Sequence, residues 1–247
     1  MPQFEPRRIA DTWRPLLNEI ERRAGVRLTL TGAPDIPGFE RDYLAGRFDF
    51  AYVNAYVMLR GAKRQGHLPL VRSRDGQLRG ILVVRADSAI HDVRALQNQI
   101  VAFPAPNALA ACLLPRALLK REFHVDVVPR YVRSHDSVYL NVVKGLAAAG
   151  GGVESSLAAQ PQEVRAALRV LYTTPPLPPH PVAVHPRVPV EVRLSVQRAF
   201  LALADSDAGR VLLQGIAMPQ PVVAHMDDYR GLAELGLDEF AQPEAPP

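Results

Sequence analysis

The chain is poor in cysteine, in aromatic residues and in concentrated charge, and each shortage removes a class of explanation. One cysteine in 247 residues leaves no internal disulfide to hold the fold. The histidines are dispersed as His67, His91, His124, His135, His180, His185 and His225, and no pair of Cys or His residues has metal-ligand spacing. Phosphate-loop and dinucleotide glycine patterns are missing, because Gly150-Gly151-Gly152 lacks both a following Lys-Ser/Thr and the spaced glycines. Ser134, His135 and Asp136 are sequence neighbours whose side chains diverge, so they form no nucleophilic triad. The formal net charge of +4 sits on scattered basic residues, with Arg7-Arg8 and Arg22-Arg23 as pairs and not a patch, which argues against nucleic acid as a partner. No stretch is apolar for long enough to cross a bilayer. What remains is an ordinary globular composition, 48% hydrophobic and 22% charged, sized for one large domain or two lobes.

Periodicity predicts strands alternating with helices, which argues α/β. Ile9, Trp13, Leu16, Leu17 and Ile20 recur at helical spacing up to Gly25, with Pro15 predicting a break or a restart near Thr12. Val26 to Leu30 alternates as a strand, Phe39 to Leu44 marks a short helix, Phe48 to Val53 a strand and Asn54 to Arg64 a helix. Leu68–Val71 and Leu78–Arg85 read as strands around an Asp75-Gly76 turn. Further on, Ile100–Phe103 reads as a strand and Asn107–Lys120 as a helix. Glu191–Ala204 and Asp207–Ile216 follow as helices. Thr173 to Pro181 carries five prolines in its last seven residues and predicts a stiff extended crossing. The tail from Gln242 is expected to be disordered.

The densest signal runs from Tyr131 to Glu154. A strand over Val127–Val132 precedes Ser134, an N-cap residue. Val138, Val142 and Leu146 then fall on one helical face, Gly145 suits the helix end, and a small-residue strand opens into a glycine turn at Gly150–Gly152. This stretch resembles the phosphonate/phosphite/phosphate-type periplasmic solute-binding proteins of ABC transporters. The resemblance extends through Phe48-Asp49-Phe50-Ala51-Tyr52, Asp87-Ser88, Val101-Ala102-Phe103 with Pro106 and Pro115, and Pro179-His180-Pro181-Val182.

The resemblance implies a type 2 periplasmic-binding-protein fold, two-lobed α/β, each lobe a mixed sheet flanked by helices, with two hinge crossings. Lobe 1 is expected over residues 1–86 and 182–247, and an inserted lobe 2 over 87–181. The opening Met1-Pro2-Gln3-Phe4-Glu5-Pro6 resembles the loop after the family's first strand. A shortened chain or a misplaced start codon is therefore expected, with an export signal and a first strand upstream and an extracytoplasmic location. The family's Ser-Thr-Ser at a helix N-terminus corresponds here to Ala108, Leu109 and Ala110, its early-loop aromatic to Ile36 and a later carboxylate to His180; His135 and Glu154 are retained. The implied cleft between the lobes is lined by Ala108, Leu109, Ala110, Cys112, Ser134, His135, Glu154 and His180, with Tyr52 opposite. No catalytic residue, cofactor or metal is expected. The expected protein is a monomer that binds a small oxyanion or oxyacid, closes about its hinges and serves an ABC permease. The alternative is an arsenite-type periplasmic sensor that uses Cys112 and engages a membrane histidine kinase. An enzyme on the same fold is a third reading.

Overall fold

The structure is a computed structural model that describes residue 2 and residues 6–242. The expectations for Met1, for Gln3 to Glu5 and for the tail past Gln242 fall outside the described residues. In chain order the first elements are α1 (Pro6–Ala24), α2 (Ile36–Leu44), β1 (Phe50–Tyr52), α3 (Ala55–Gln65), β2 (Leu68–Ser73) and β3 (Gly80–Arg85). Next come β4 (Ile100–Phe103), a π-turn (Leu109–Leu113) continuing as α4 (Leu114–Glu122), β5 (Val128–Tyr131), α5 (His135–Val143) and β6 (Ala149–Val153). The rest are α6 (Glu154–Ala158), α7 (Gln162–Ala166), β7 (Leu168–Thr173), β8 (Val182–Val184), α8 (Val190–Ala202), α9 (Asp207–Gly215), β9 (Pro221–Val223) and α10 (Arg230–Ala233). No described helix is long and apolar enough to cross a membrane.

The described residues form two compact units, one of the residues up to 77 with 178–234, the other of residues 78–177 with 235–242. The first crossing thus falls between Gln77 and Leu78, ahead of Asp87-Ser88, and the second inside the proline stretch. Asp87 is paired with Arg85 at 2.6 Å, at the end of β3.

In the first unit the sheet order is β1-β8-β2-β9, with antiparallel pairing throughout. Leu16 and Ile20 of α1 pack with Val71, Val184, Phe200 and Leu213 in its core. That packing explains why α1 runs unbroken through Pro15. The ring is exposed, and the lost backbone bond, costing about 3 kcal/mol, is offset by two fully buried side chains worth about 1.5–3 kcal/mol each. Val26–Leu30 shows the expected alternation, with Val26, Leu28 and Leu30 half-buried, but belongs to neither sheet. The residues have a core to face and, among the described residues, no strand to pair with. The Asp75-Gly76 turn does not join a pair either: β2 lies in the first sheet and β3 in the second. Turn chemistry is local, whereas the partner of each strand comes from afar in sequence.

The second unit has a five-stranded mixed sheet, β5-β4-β6-β3-β7. β4 pairs in parallel with both β5 and β6, and β3 pairs antiparallel with β6 and β7. Ser134 caps α5 by accepting the Ser137 N–H, and Val138 and Val142 are buried against the sheet. Leu146 leaves that face, because α5 ends at Val143 and Gly145 turns the chain with φ +70°; it is 53% exposed. The glycine run is the strand β6 itself and not a turn. Its reason is contact: a Cβ on Gly150 would lie 2.6 Å from Val138, and one on Gly152 would lie 2.2 Å from Tyr139 Oη. On the other face, a Cβ on Gly151 would lie 2.1 Å from Ala111 O and 2.5 Å from Phe103.

Gly151→Ala is therefore expected to cost about 3 kcal/mol, because backbone has to move to relieve the overlap. Gly231→Ala, in α10 with nothing within 4 Å of the added carbon, is expected to be neutral or to stabilise by about 0.5–1 kcal/mol. Urea titrations decide it; equal midpoints for the two variants contradict the packing argument.

Candidate ligand-binding site

Parallel pairing brings the carboxyl ends of β4, β5 and β6 to one edge of the second unit's sheet. Phe103 is opposite Tyr131, and Ala102 is opposite Gly150. From β4 the chain goes first to β5 on one side, and later to β6 on the other. The carboxyl end of β4 is thus a topological switch point, where open α/β sheets hold their ligands. The π-turn after β4, α5 after β5 and α6 after β6 all begin at this edge.

The π-turn starts at Ala108, whose extended backbone caps it with no side-chain acceptor. Ala108 O accepts from both Cys112 N (2.8 Å) and Leu113 N (3.1 Å). The N–H groups of Leu109, Ala110 and Ala111 therefore precede the first intrahelical bond and point out of the helix start. The turn lies directly on the sheet. A Cβ on Gly80 of β3 would meet Ala110 O at 2.0 Å, and one on Gly151 of β6 would meet Ala111 O at 2.1 Å. Ala108, Leu109 and Ala110 are 9%, 2% and 3% exposed, and Cys112 is completely buried in the same turn.

At the start of α5, Ser134 is half-buried and spends its hydroxyl on the cap. His135 is 3% exposed, with Nδ1 3.1 Å from Ser156 Oγ. Ser156 also meets Tyr139 Oη at 2.6 Å and accepts the Val153 N–H, so His135 belongs to a buried polar network that joins α5, β6 and α6. Burial pushes the His135 imidazole down to about 4, opposed by the nearby Asp136 charge, so the ring is neutral near pH 7. Glu154 is exposed at the start of α6, with its N–H bonded to Arg79 O.

Tyr52 and His180 belong to the first unit, with ring centroids 5.5 Å apart; Trp13 lies 5.3 Å beyond Tyr52. Ile36 opens α2 and is buried in that unit. The structure thus brings Ala108–Ala110 and Cys112 onto Gly80 and Gly151, groups His135 with Ser156, and pairs Tyr52 with His180. Gly80, Ser156 and Asn107 were not singled out from sequence. A Ser three residues into a helix and an Asn after Pro106 are capping signals that could have marked the last two; Gly80 carries no such signal.

Residues 1–229 match the profile of a family described as the periplasmic substrate-binding protein of phosphonate ABC transporters. Comparison with curated proteins by sequence gives no match. Among solved structures, a binding-protein component of an ABC phosphonate transporter from Pseudomonas aeruginosa is similar at 15% identity and TM-score 0.84, over 95% of this chain and 83% of that one. PhnD1 from Prochlorococcus marinus, in complex with methylphosphonate, is similar at 13% identity and TM-score 0.85, over 97% and 96%. XAC2383 from Xanthomonas citri, bound to ATP, is similar at 21% identity and TM-score 0.75, over 92% of each chain. At these identities the likeness shows the fold, the two-lobed type 2 periplasmic-binding-protein architecture.

A buried neutral His135 makes stability depend on pH. Its folded pKa of about 4 lies below the ordinary 6.5, so between these values the unfolded chain binds the proton and the folded one does not. Stability is expected to fall as pH drops through that window, by about 3 kcal/mol in all from this residue. His135→Asn, which keeps a polar partner for Ser156, is expected to flatten the fall. Denaturation midpoints from pH 7 to 4 check this; parallel curves for the two proteins contradict it.

Proposed function

The chain belongs to the family of periplasmic substrate-binding proteins of phosphonate ABC transporters, and on that premise we propose that it captures a small oxyanion or oxyacid of the phosphonate and phosphate class for an ABC permease. Proteins of this family are extracytoplasmic substrate-binding components, and capture by this chain is non-covalent. Motion about the crossings between its two compact units accompanies capture.

The observation that carries the reading is the uncapped π-turn at the switch point. A helix start with unspent N–H groups attracts an anion through both hydrogen bonds and the helix dipole. The start of α5, with Ser134 and His135, faces the same edge, as does Glu154. Neutral His135 adds no charge there. Ala108, Leu109 and Ala110 offer no hydroxyl, so backbone donors alone must satisfy the ligand oxygens. A dianion held this way in a buried setting keeps unsatisfied charge. The favoured ligand is therefore compact and at most singly charged at the turn, a methylphosphonate-like acid being the type. Nothing favours the sensor reading: Cys112 is completely buried and is the only cysteine in the chain.

Thermal shifts with phosphate, phosphite, methylphosphonate, aminoethylphosphonate, sulfate and arsenite test the proposal. A bound ligand at a hundredfold its dissociation constant adds about 2.7 kcal/mol, or roughly 5–10 °C for a chain of this size. Methylphosphonate is expected to give that shift. Leu109→Pro removes one N–H at a helix position that tolerates proline, and Leu109→Ala keeps the N–H while shedding the same packing. Affinity is expected to be about tenfold or more weaker in the proline variant than in the alanine variant. Silence across the phosphorus compounds contradicts the proposed class, and equal affinities contradict the backbone donors.

A further inference from the structure

The segment Leu235–Gln242 leaves the first unit's stretch of chain and packs with the second. There it is fastened along the helix that follows the π-turn. Arg121 donates to Leu235 O (2.6 Å) and Gly236 O (2.9 Å) and pairs with Glu239 at 2.9 Å. Arg116 donates to Phe240 O at 2.9 Å. The Phe240 ring takes both guanidinium groups, at 5.8 Å from Arg116 and 5.1 Å from Arg121. The segment then ends on Asn107. Gln242 donates its N–H to Asn107 Oδ1 at 3.0 Å, and Asn107 Nδ2 returns a longer contact of 3.5 Å to Gln242 O. Asn107 is only 6% exposed and immediately precedes Ala108, the residue whose carbonyl starts the helix.

We propose that Leu235–Gln242 is a strap that sets the position of the ligand-facing turn, with Asn107 as the positioning residue through which it acts. The inference rests on the oxyanion reading of that turn. Gly80 and Gly151 fix how close the turn comes to the sheet from below, and they leave it free to shift along the strands. The strap closes that freedom by holding Asn107 from outside and Arg116 nine residues further on. Arg116 also reaches Tyr131 Oη at 3.5 Å, which ties the strap to the end of β5 and so to the same edge of the sheet. The donors of Leu109, Ala110 and Ala111 are then aimed by a segment more than a hundred residues away in sequence. Because coupling is reciprocal, a ligand that orders the turn must also order the strap.

The test uses the full chain with Asn107→Ala, Asn107→Asp and Phe240→Ala. Asp keeps the oxygen that accepts the Gln242 N–H; Ala does not. Amide exchange at Leu109–Leu113 is expected to speed up by about tenfold in Asn107→Ala and in Phe240→Ala, and affinity for methylphosphonate to drop by about five- to tenfold; Asn107→Asp is expected to restore the slow exchange, while its added negative charge beside the anion keeps affinity low. Adding methylphosphonate to the wild-type chain is expected to slow exchange across Leu235–Gln242. Unchanged exchange at the turn in both disruptive variants, or unchanged affinity in a wild type that binds, overturns the strap. A wild type that binds nothing overturns the oxyanion reading instead, and the exchange rates at the turn still decide the strap.

Discussion

The second unit is organised by one close approach, that of the π-turn backbone to the glycines of two neighbouring strands. Ala110 O and Ala111 O occupy the space where the Cβ atoms of Gly80 and Gly151 would be. Strands ordinarily gain from β-branched side chains, and β6 forgoes them over three consecutive positions. The loss in packing is offset on one face by Val138, Val142 and Tyr139 filling the space over Gly150 and Gly152. On the other face, the helix start is brought down to the carboxyl edge of the sheet. A bulkier strand would lift the turn away and turn its N–H groups out of register with the starts of α5 and α6. The proposed site would therefore be a consequence of strand composition, and not of any reactive side chain.

That origin shapes the chemistry. Backbone donors at a helix start carry partial charge and cannot titrate, so the anion binding proposed for them would not depend on their own protonation. The neighbouring groups agree: Ser134 is used as a cap, His135 is neutral and bonded to Ser156, and the triplet at the turn is aliphatic. Selectivity in such a site comes from shape and from the few groups around the donors. The buried polar network of His135, Ser156, Tyr139 and Val153 keeps α5 and α6 fixed relative to β6, and so keeps two of the three helix starts in place.

Much of this arrangement was legible in the residues. Ile100–Phe103 was recognisable as a strand, Ser134 as a cap and Gly145 as a helix stop, because each depends on local backbone preference. The family resemblance located the turn at Ala108–Ala110 and predicted the fold. What escaped depended on distant partners. The glycine run reads as a turn until Ala111 and Tyr139 are seen to fill its missing side chains. Pro15 reads as a break until Leu16 and Ile20 are seen buried. Val26–Leu30 has the alternation of a strand, and alternation reports a buried face without reporting a neighbour. The bond between Asn107 and Gln242 spans 135 residues and no local signal announces it.

The most direct measurement is an amide-resolved NMR titration of the full chain with methylphosphonate. Backbone capture at the switch point predicts the largest downfield shifts at Leu109, Ala110 and Ala111, with smaller ones at His135 and Asp136. Saturating binding that leaves those amides unmoved, with its shifts confined to other parts of the chain, would contradict the account.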